Sequence, residues 1–291
     1  MHSRPCLTTW LYLSPLHLLL LAMLTVPSLY VFWLSLNGSS YGTGLTWVGL
    51  ENYRAVFDDP YFWRAALNTF LVVNGVVYVE LLFGLALAAL FVSGVPFRGV
   101  MFACILMPYA ISEVVAVLVW KMMMDPNIGA IARTIEELGL GRVNWSASPS
   151  TGLVLVGVIN IWTHLPFTFL MIYAGLLTID GSLYEAARID GASRWQRFLR
   201  ITLPLLIPTL LITLIFRLIF AFRMFSEVWL LTKGGPARLS EVLAVYLYQH
   251  GFRYGDFGMA AATGWLMVLG SLLLASVFLF AMQRGMKGGE R

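Results

Sequence analysis

Leu205-Leu206-Ile207-Pro208-Thr209-Leu210-Leu211-Ile212-Thr213-Leu214-Ile215-Phe216, followed by Arg217 and a second apolar block reaching Leu231, is the stretch that decides the fold. Its charged residues are Arg217, Arg223 and Glu227 alone. A helix needs about 20 mostly apolar residues to cross a hydrocarbon core about 30 Å thick, and this run supplies them. Working outward, the same criterion picks out Trp10–Leu34, Ala66–Val92, Val100–Met123, Thr151–Gly175 and Phe257–Met282. The first is about twice as long as the apolar part of a signal peptide and has no small-residue cleavage site after it, so it reads as a retained helix.

Composition agrees. Apolar residues make up 59% of the 291, charged residues only 12%, and mean hydropathy is +0.79. A soluble domain carries about 45–50% apolar and about 25% charged residues, so the excess has to face lipid. The formal charge of +4 is small and scattered, which argues against a nucleic-acid surface. Cys6 and Cys104 form no metal or redox motif, and His2, His17, His164 and His250 lack metal-ligand spacing. With no low-complexity linker and no repeat of 20–50 residues, residues 1–291 are expected to form a single all-α membrane domain of six spans. Six spans put both termini on one side. The side holding the termini, the Ser93–Gly99 turn and the Leu176–Pro204 loop has nine Lys/Arg and four acidic residues, against eight and eight on the other. Both termini are therefore expected in the cytoplasm.

The loop before Leu205 is rich in helix punctuation. Ser182-Leu183-Tyr184-Glu185 has the form of a capping box, which starts a helix at Leu183. Gly191 stands where a left-handed residue would end that helix. Ser193-Arg194-Trp195-Gln196 repeats the capping pattern and opens a second helix toward Pro204. Two short helices without a core of their own need something to pack on. Lipid headgroups, met by Arg194, Arg197 and Arg200, and another protein are both open as that something.

Glu185-Ala186-Ala187, three residues, Gly191, nine residues and Ile201-Thr202-Leu203-Pro204 match without a gap the EAA-x3-G-x9-I-x-LP motif. The chain thereby resembles the membrane subunits of bacterial ABC importers. Trp47-Val48-Gly49-Leu50-Glu51-Asn52-Tyr53, Ala66-Leu67-Asn68-Thr69, Leu106-Met107-Pro108-Tyr109, Asp190-Gly191-Ala192-Ser193 and Leu231-Thr232-Lys233-Gly234-Gly235-Pro236 are similar to the carbohydrate-uptake, maltose-type branch, Lys233 being a departure. The resemblance implies the type I importer permease fold in a bacterial cytoplasmic membrane. It makes residues 180–204 a cytoplasmic coupling loop for a separate ATPase. Glu185 would contact that ATPase, Ala186 and Ala187 would allow close approach, and Gly191, preceded by Asp190, would set the bend. Ile201, Leu203 and Pro204 would join the loop to the fifth helix. Implied partners are two ATPase subunits, a second related permease subunit and an extracytoplasmic solute-binding protein. No GxxxxGK[ST] run occurs, so no cofactor is expected on this chain, ATP and Mg belonging to the ATPase.

Ionisable residues inside spans cost at least about 2.5–3.5 kcal/mol each in lipid and are expected to face the bundle interior. Glu80, Glu113 and Arg217 fall at one depth, about 18–20 Å from the cytoplasmic ends, with Asn160 and His164 near that band. Arg217 is expected to pair with Glu80 or Glu113. Arg223 and Glu227, four apart, are expected on one helical face, either as a local ion pair or at the outer mouth of a path. Asn160, Arg217, Arg223 and Glu227 are the candidates to line the route of a solute. Their near-neutral balance suits an uncharged polyhydroxyl compound. Pro108 and Pro166 are expected to kink their helices. An ATP-driven sugar importer permease, not itself an enzyme, is the expected function. A glycerol-phosphate or other polar-solute permease is the alternative, and an ion-coupled secondary transporter a more distant one. A membrane enzyme would need a nucleophile or metal cluster that the sequence does not offer.

Overall fold

The computed structural model describes residues 7–39, 42 and 44–288, so Cys6 and His2 lie outside the described residues. In chain order the helices are α1 (Leu7–Ser35), α2 (Glu51–Asp58), α3 (Pro60–Val92), α4 (Arg98–Ala110), α5 (Glu113–Met123), α6 (Ala130–Glu137), α7 (Pro149–Leu177), α8 (Gly181–Ile189), α9 (Arg194–Arg197), α10 (Leu203–Ala221), α11 (Ser226–Leu231), α12 (Leu243–Tyr248) and α13 (Phe257–Gly288). Single π-helical turns at Phe198–Thr202 and Gln249–Arg253 follow α9 and α12. Two-residue strands β1 (Asn37–Gly38) and β2 (Thr46–Trp47) pair antiparallel. These elements gather into two compact units, residues 1–60 with 247–266 and residues 61–246 with 267–291.

In the first unit α1 is apolar all round and almost wholly exposed, the state of a helix whose neighbour is lipid. Asn52 Nδ2 donates to the Ser35 and Asn37 carbonyls at 2.8 and 2.9 Å, tying α2 to the end of α1. Gly258 packs against the Asn37 carbonyl so closely that a Cβ could not be admitted.

The second unit holds the functional candidates. On α3 the buried residues Val73, Val77, Glu80, Gly84, Ala88 and Phe91 recur every three or four positions and form one face. A Cβ on Gly84 would stand 2.8 Å from Thr168 Cγ2 of α7, so glycine lets those two helices approach. Around it Ala88, Phe91, Phe169, Ile172, Tyr173, Leu176 and Leu206 form a dry cluster. A second cluster packs Val117 of α5 and Val228 and Leu231 of α11 against Leu155, Val156 and Ile159 of α7.

Among the described residues five helices are long and apolar enough to cross a membrane, and α4 with α5 forms a pair bent by 100°. The expected run Val100–Met123 is this pair, and it breaks three residues past Pro108, more sharply than the kink expected there. Ile111 and Ser112 both take extended backbone, and Glu113 starts a new helix. Pro108 contributes, since it cannot donate to the carbonyl one turn back. Pro166, by contrast, sits inside an unbroken α7. The fifth run also differs from expectation: α10 ends at Ala221 and α11 begins at Ser226.

Candidate functional site

The elbow between α7 and α10 is built as two helices about a glycine, with one correction at its start. The first helix begins at Gly181, not Leu183. Asp180 is its N-cap, accepting the Ser182 N–H at 3.0 Å, so the Ser182 capping box does not form. Asp180 and Ser182 are both good caps, and the earlier one prevails because it adds residues to a short helix. That hydrogen bond holds the Asp180 carboxyl below the usual carboxylate range. At the other end Gly191 takes φ +77°. Its N–H donates to the Arg188 carbonyl at 3.1 Å and that of Ala192 to the Ala187 carbonyl at 2.9 Å, closing a Schellman motif.

Ser193 then caps α9. Its hydroxyl accepts the Gln196 N–H at 3.2 Å while Gln196 Oε1 accepts the Ser193 N–H at 2.8 Å. The helix does not stop at Pro204. It widens through the π turn, which accommodates the missing proline N–H, and runs on as α10. Glu185, Ala186 and Asp190 are exposed, Ala187 and Ile201 half-buried, Leu203 half-buried and Pro204 exposed. Ile189, one turn beyond Glu185 on the same face, is 87% exposed. The two arms are joined by a contact the sequence does not announce: the hydroxyls of Tyr184 and Thr202 lie 2.9 Å apart.

Deeper in the second unit a chain of polar side chains crosses the bundle. Arg217, 1% exposed, donates from Nε and Nη2 to the two oxygens of fully buried Glu80 at 2.5 and 2.7 Å. Of the two expected partners the structure selects Glu80; Glu113 stands exposed at the first turn of α5. Arg217 Nη2 also donates to Asn160 Oδ1 at 3.1 Å, and Asn160 Nδ2 to Glu227 Oε1 at 2.5 Å. Glu227 Oε2 is buried with no partner among the described residues. Of the two readings for Arg223 and Glu227, the local ion pair does not form, because the helix that was to put them on one face breaks between them. Arg223 is exposed, 5.7 Å from the Phe220 ring, and among the described residues no ion pair joins it to Glu227.

This chain borders a cavity of about 380 Å³. Glu113, Asn160, His164, Arg217, Arg223 and Glu227 line it together with Tyr109, Phe167 and Phe220. The sequence left those three rings unassigned; Tyr109 stacks on Phe167, and Phe220 meets Phe167 edge-on. Glu80, bound behind Arg217, does not reach it. The walls thus offer carboxylate, amide and guanidinium groups beside flat apolar faces, the means of holding a polar solute without strong net charge.

Residues 80–286 match the family described as binding-protein-dependent transport system inner membrane component. The chain belongs to this family. As a member it is a transporter permease subunit, a multi-pass protein of the inner membrane. The permease is 32% identical to a trehalose/maltose transport system permease protein of Thermococcus litoralis, over 93% of this chain and 92% of that one. It is 35% identical to a sulfoquinovosyl glycerol transport system permease protein of Agrobacterium fabrum, over 92% and 88%. In structure it is similar to a chain of a bacterial ABC transporter involved in import of the polysaccharide alginate, with a TM-score of 0.82, 24% identity and 94% of each chain covered. That likeness extends the type I importer fold to nearly the whole permease.

Proposed function

We propose that the permease carries a sugar or sugar derivative into the cell, driven by ATP hydrolysis on a separate subunit that engages the elbow. The single observation that supports the coupling is the elbow itself. Glu185 and Ile189 stand exposed on a helix whose far end is fixed by the Gly191 turn and whose side is tied to the fifth span through Tyr184 and Thr202. A load on that exposed face reaches α10 without first bending the chain between them. In this reading both termini and the elbow lie in the cytoplasm, ATP and Mg act on two partner ATPases, and a second permease chain completes the path. A solute-binding protein delivers the cargo from outside. The names of the relatives support a carbohydrate, and the cavity beside Tyr109, Phe167 and Phe220 supports it in chemistry: ring faces stack on sugar rings while Asn160 and the carboxylates take hydroxyls.

The test is reconstitution. The permease, its partner chains and its binding protein are placed in liposomes, after thermal-shift screening of the binding protein against a sugar panel has chosen the solute. Uptake is expected only with ATP inside and binding protein outside. Uptake driven by an ion gradient without the ATPase would overturn the reading in favour of a secondary transporter.

A further inference from the structure

The elbow carries more positive charge than its coupling role uses. Arg188, Arg194, Arg197 and Arg200 fall within thirteen residues, and among the described residues none of them forms an ion pair. Arg197 is the telling one. Its Nε is shut off from solvent and has no hydrogen-bond acceptor among the described residues, a costly state for a guanidinium. It lines a cavity of about 440 Å³ together with Arg200, Gln196 and Ile201 on one wall and Asp190 and Gly191 on the other.

The position of this cavity is set by the helix it borders. Arg197, the π turn and α10 form one continuous helical run, and the apolar stretch begins at Ile201. At about 1.5 Å per residue from Ile201, Arg197 lies about 6 Å outside the apolar segment, and Arg200, about 1.5 Å outside it, reaches outward on its long side chain. The headgroup layer of one leaflet is about 5–8 Å deep. Both guanidiniums therefore stand at the level of lipid phosphates. The neighbouring Trp195 is 67% exposed and stacked on Phe198 at 5.6 Å.

We propose that this cavity holds the headgroup of an ethanolamine phospholipid. The phosphodiester is gripped by Arg197 and Arg200, whose planar forks suit paired phosphate oxygens. Asp190 on the facing wall receives the ammonium, so that each charge in the cavity meets its opposite. A carboxylate from a protein partner would satisfy the arginines and leave Asp190 facing a like charge. The site is separate from the solute cavity and stands whether or not the elbow engages an ATPase.

Native mass spectrometry of the intact transporter in detergent, with phosphatidylethanolamine added, tests it. The wild type is expected to retain one phosphatidylethanolamine more than the Arg197→Gln/Arg200→Gln variant. Two arginines near a lipid surface correspond to a loss of affinity of about thirtyfold. Inorganic phosphate in excess is expected not to displace that lipid, and Asp190→Asn to erase the preference for phosphatidylethanolamine over phosphatidylglycerol. Should the double variant fail to assemble, Arg200→Gln alone, at an exposed position, is expected to cost about fivefold. Equal retention by wild type and variant overturns the proposal. So does displacement by inorganic phosphate, which would make it a free-phosphate site, or a crosslink from position 197 to a protein subunit in place of lipid.

Discussion

The Tyr184 and Thr202 hydroxyls, 2.9 Å apart, join the middle of the elbow's first helix to the π turn that leads into the fifth span. They are eighteen positions apart in the chain. Without this bridge no side-chain hydrogen bond among the described residues would join the two arms, and more of a force on Glu185 would be taken up by bending at the Gly191 turn.

Tyr184→Phe removes the bridge while keeping the ring. The loss of about 1 kcal/mol is expected to leave assembly intact and to raise the ATP hydrolysed per solute imported about fivefold. Thr202→Ser keeps the hydroxyl and is expected to behave as wild type. Stoichiometry measured in proteoliposomes checks this, and an unchanged ratio in Tyr184→Phe would deny the bridge a part in transmission.

Gly191 is required for its backbone conformation alone, since a Cβ there would meet nothing within 4 Å. A side chain at φ +77° costs about 1–2 kcal/mol, and asparagine tolerates the left-handed region better than other residues. Transport is accordingly expected to fall in the order glycine, asparagine, alanine, valine at this position, with membrane insertion unaffected. A valine variant with full uptake would show that the bend is dispensable.

Removing Arg217 strands Glu80 in the bundle, at a cost of about 3–5 kcal/mol. Arg217→Ala is expected to lower the yield of assembled protein before it changes solute choice, and Glu80→Gln in the same chain to restore part of that yield. Size-exclusion profiles report the first, and solute competition the second. An Arg217→Ala variant that assembles normally and accepts a different solute would place Arg217 on the solute path instead.

The Asp180 cap has a pH signature. Its carboxyl is held below the usual range by the Ser182 N–H, so its contribution is fully present above the ordinary carboxylate pKa and is lost as pH falls through the depressed value. Amide exchange at Ser182 in the wild type, corrected for intrinsic rate, is expected to rise only below the ordinary carboxylate pKa. Asp180→Ala is expected to exchange fast at every pH, and Asp180→Asn to stay slow. A wild-type transition near neutral pH would contradict this.

Much of this was legible in the sequence, because hydropathy over 20 residues needs no knowledge of packing. The left-handed Gly191 and the Ser193–Gln196 capping box follow from local rules and appear as expected. The misses are places where a local rule meets tertiary structure. Hydropathy passes smoothly through Ile111–Ser112 and Phe222–Phe225, since a bent apolar chain is as apolar as a straight one. Arg223 and Glu227 are therefore separated by a break that spacing cannot report. The choice of Glu80 over Glu113 for Arg217 depends on which face of α3 meets α10, and that is set by clusters such as Val73 and Val77 against Leu214 and Leu218. Tyr109, Phe167 and Phe220 come together from three helices, and no spacing links them.

Coupling requires a partner that acts on the exposed face of the elbow. A photo-crosslinking residue at position 189, the 87%-exposed site one turn from Glu185, installed in the assembled transporter, tests that contact directly. The account predicts a nucleotide-sensitive crosslink to the ATPase subunit. A crosslink to the solute-binding protein, or to lipid alone in every nucleotide state, would contradict it.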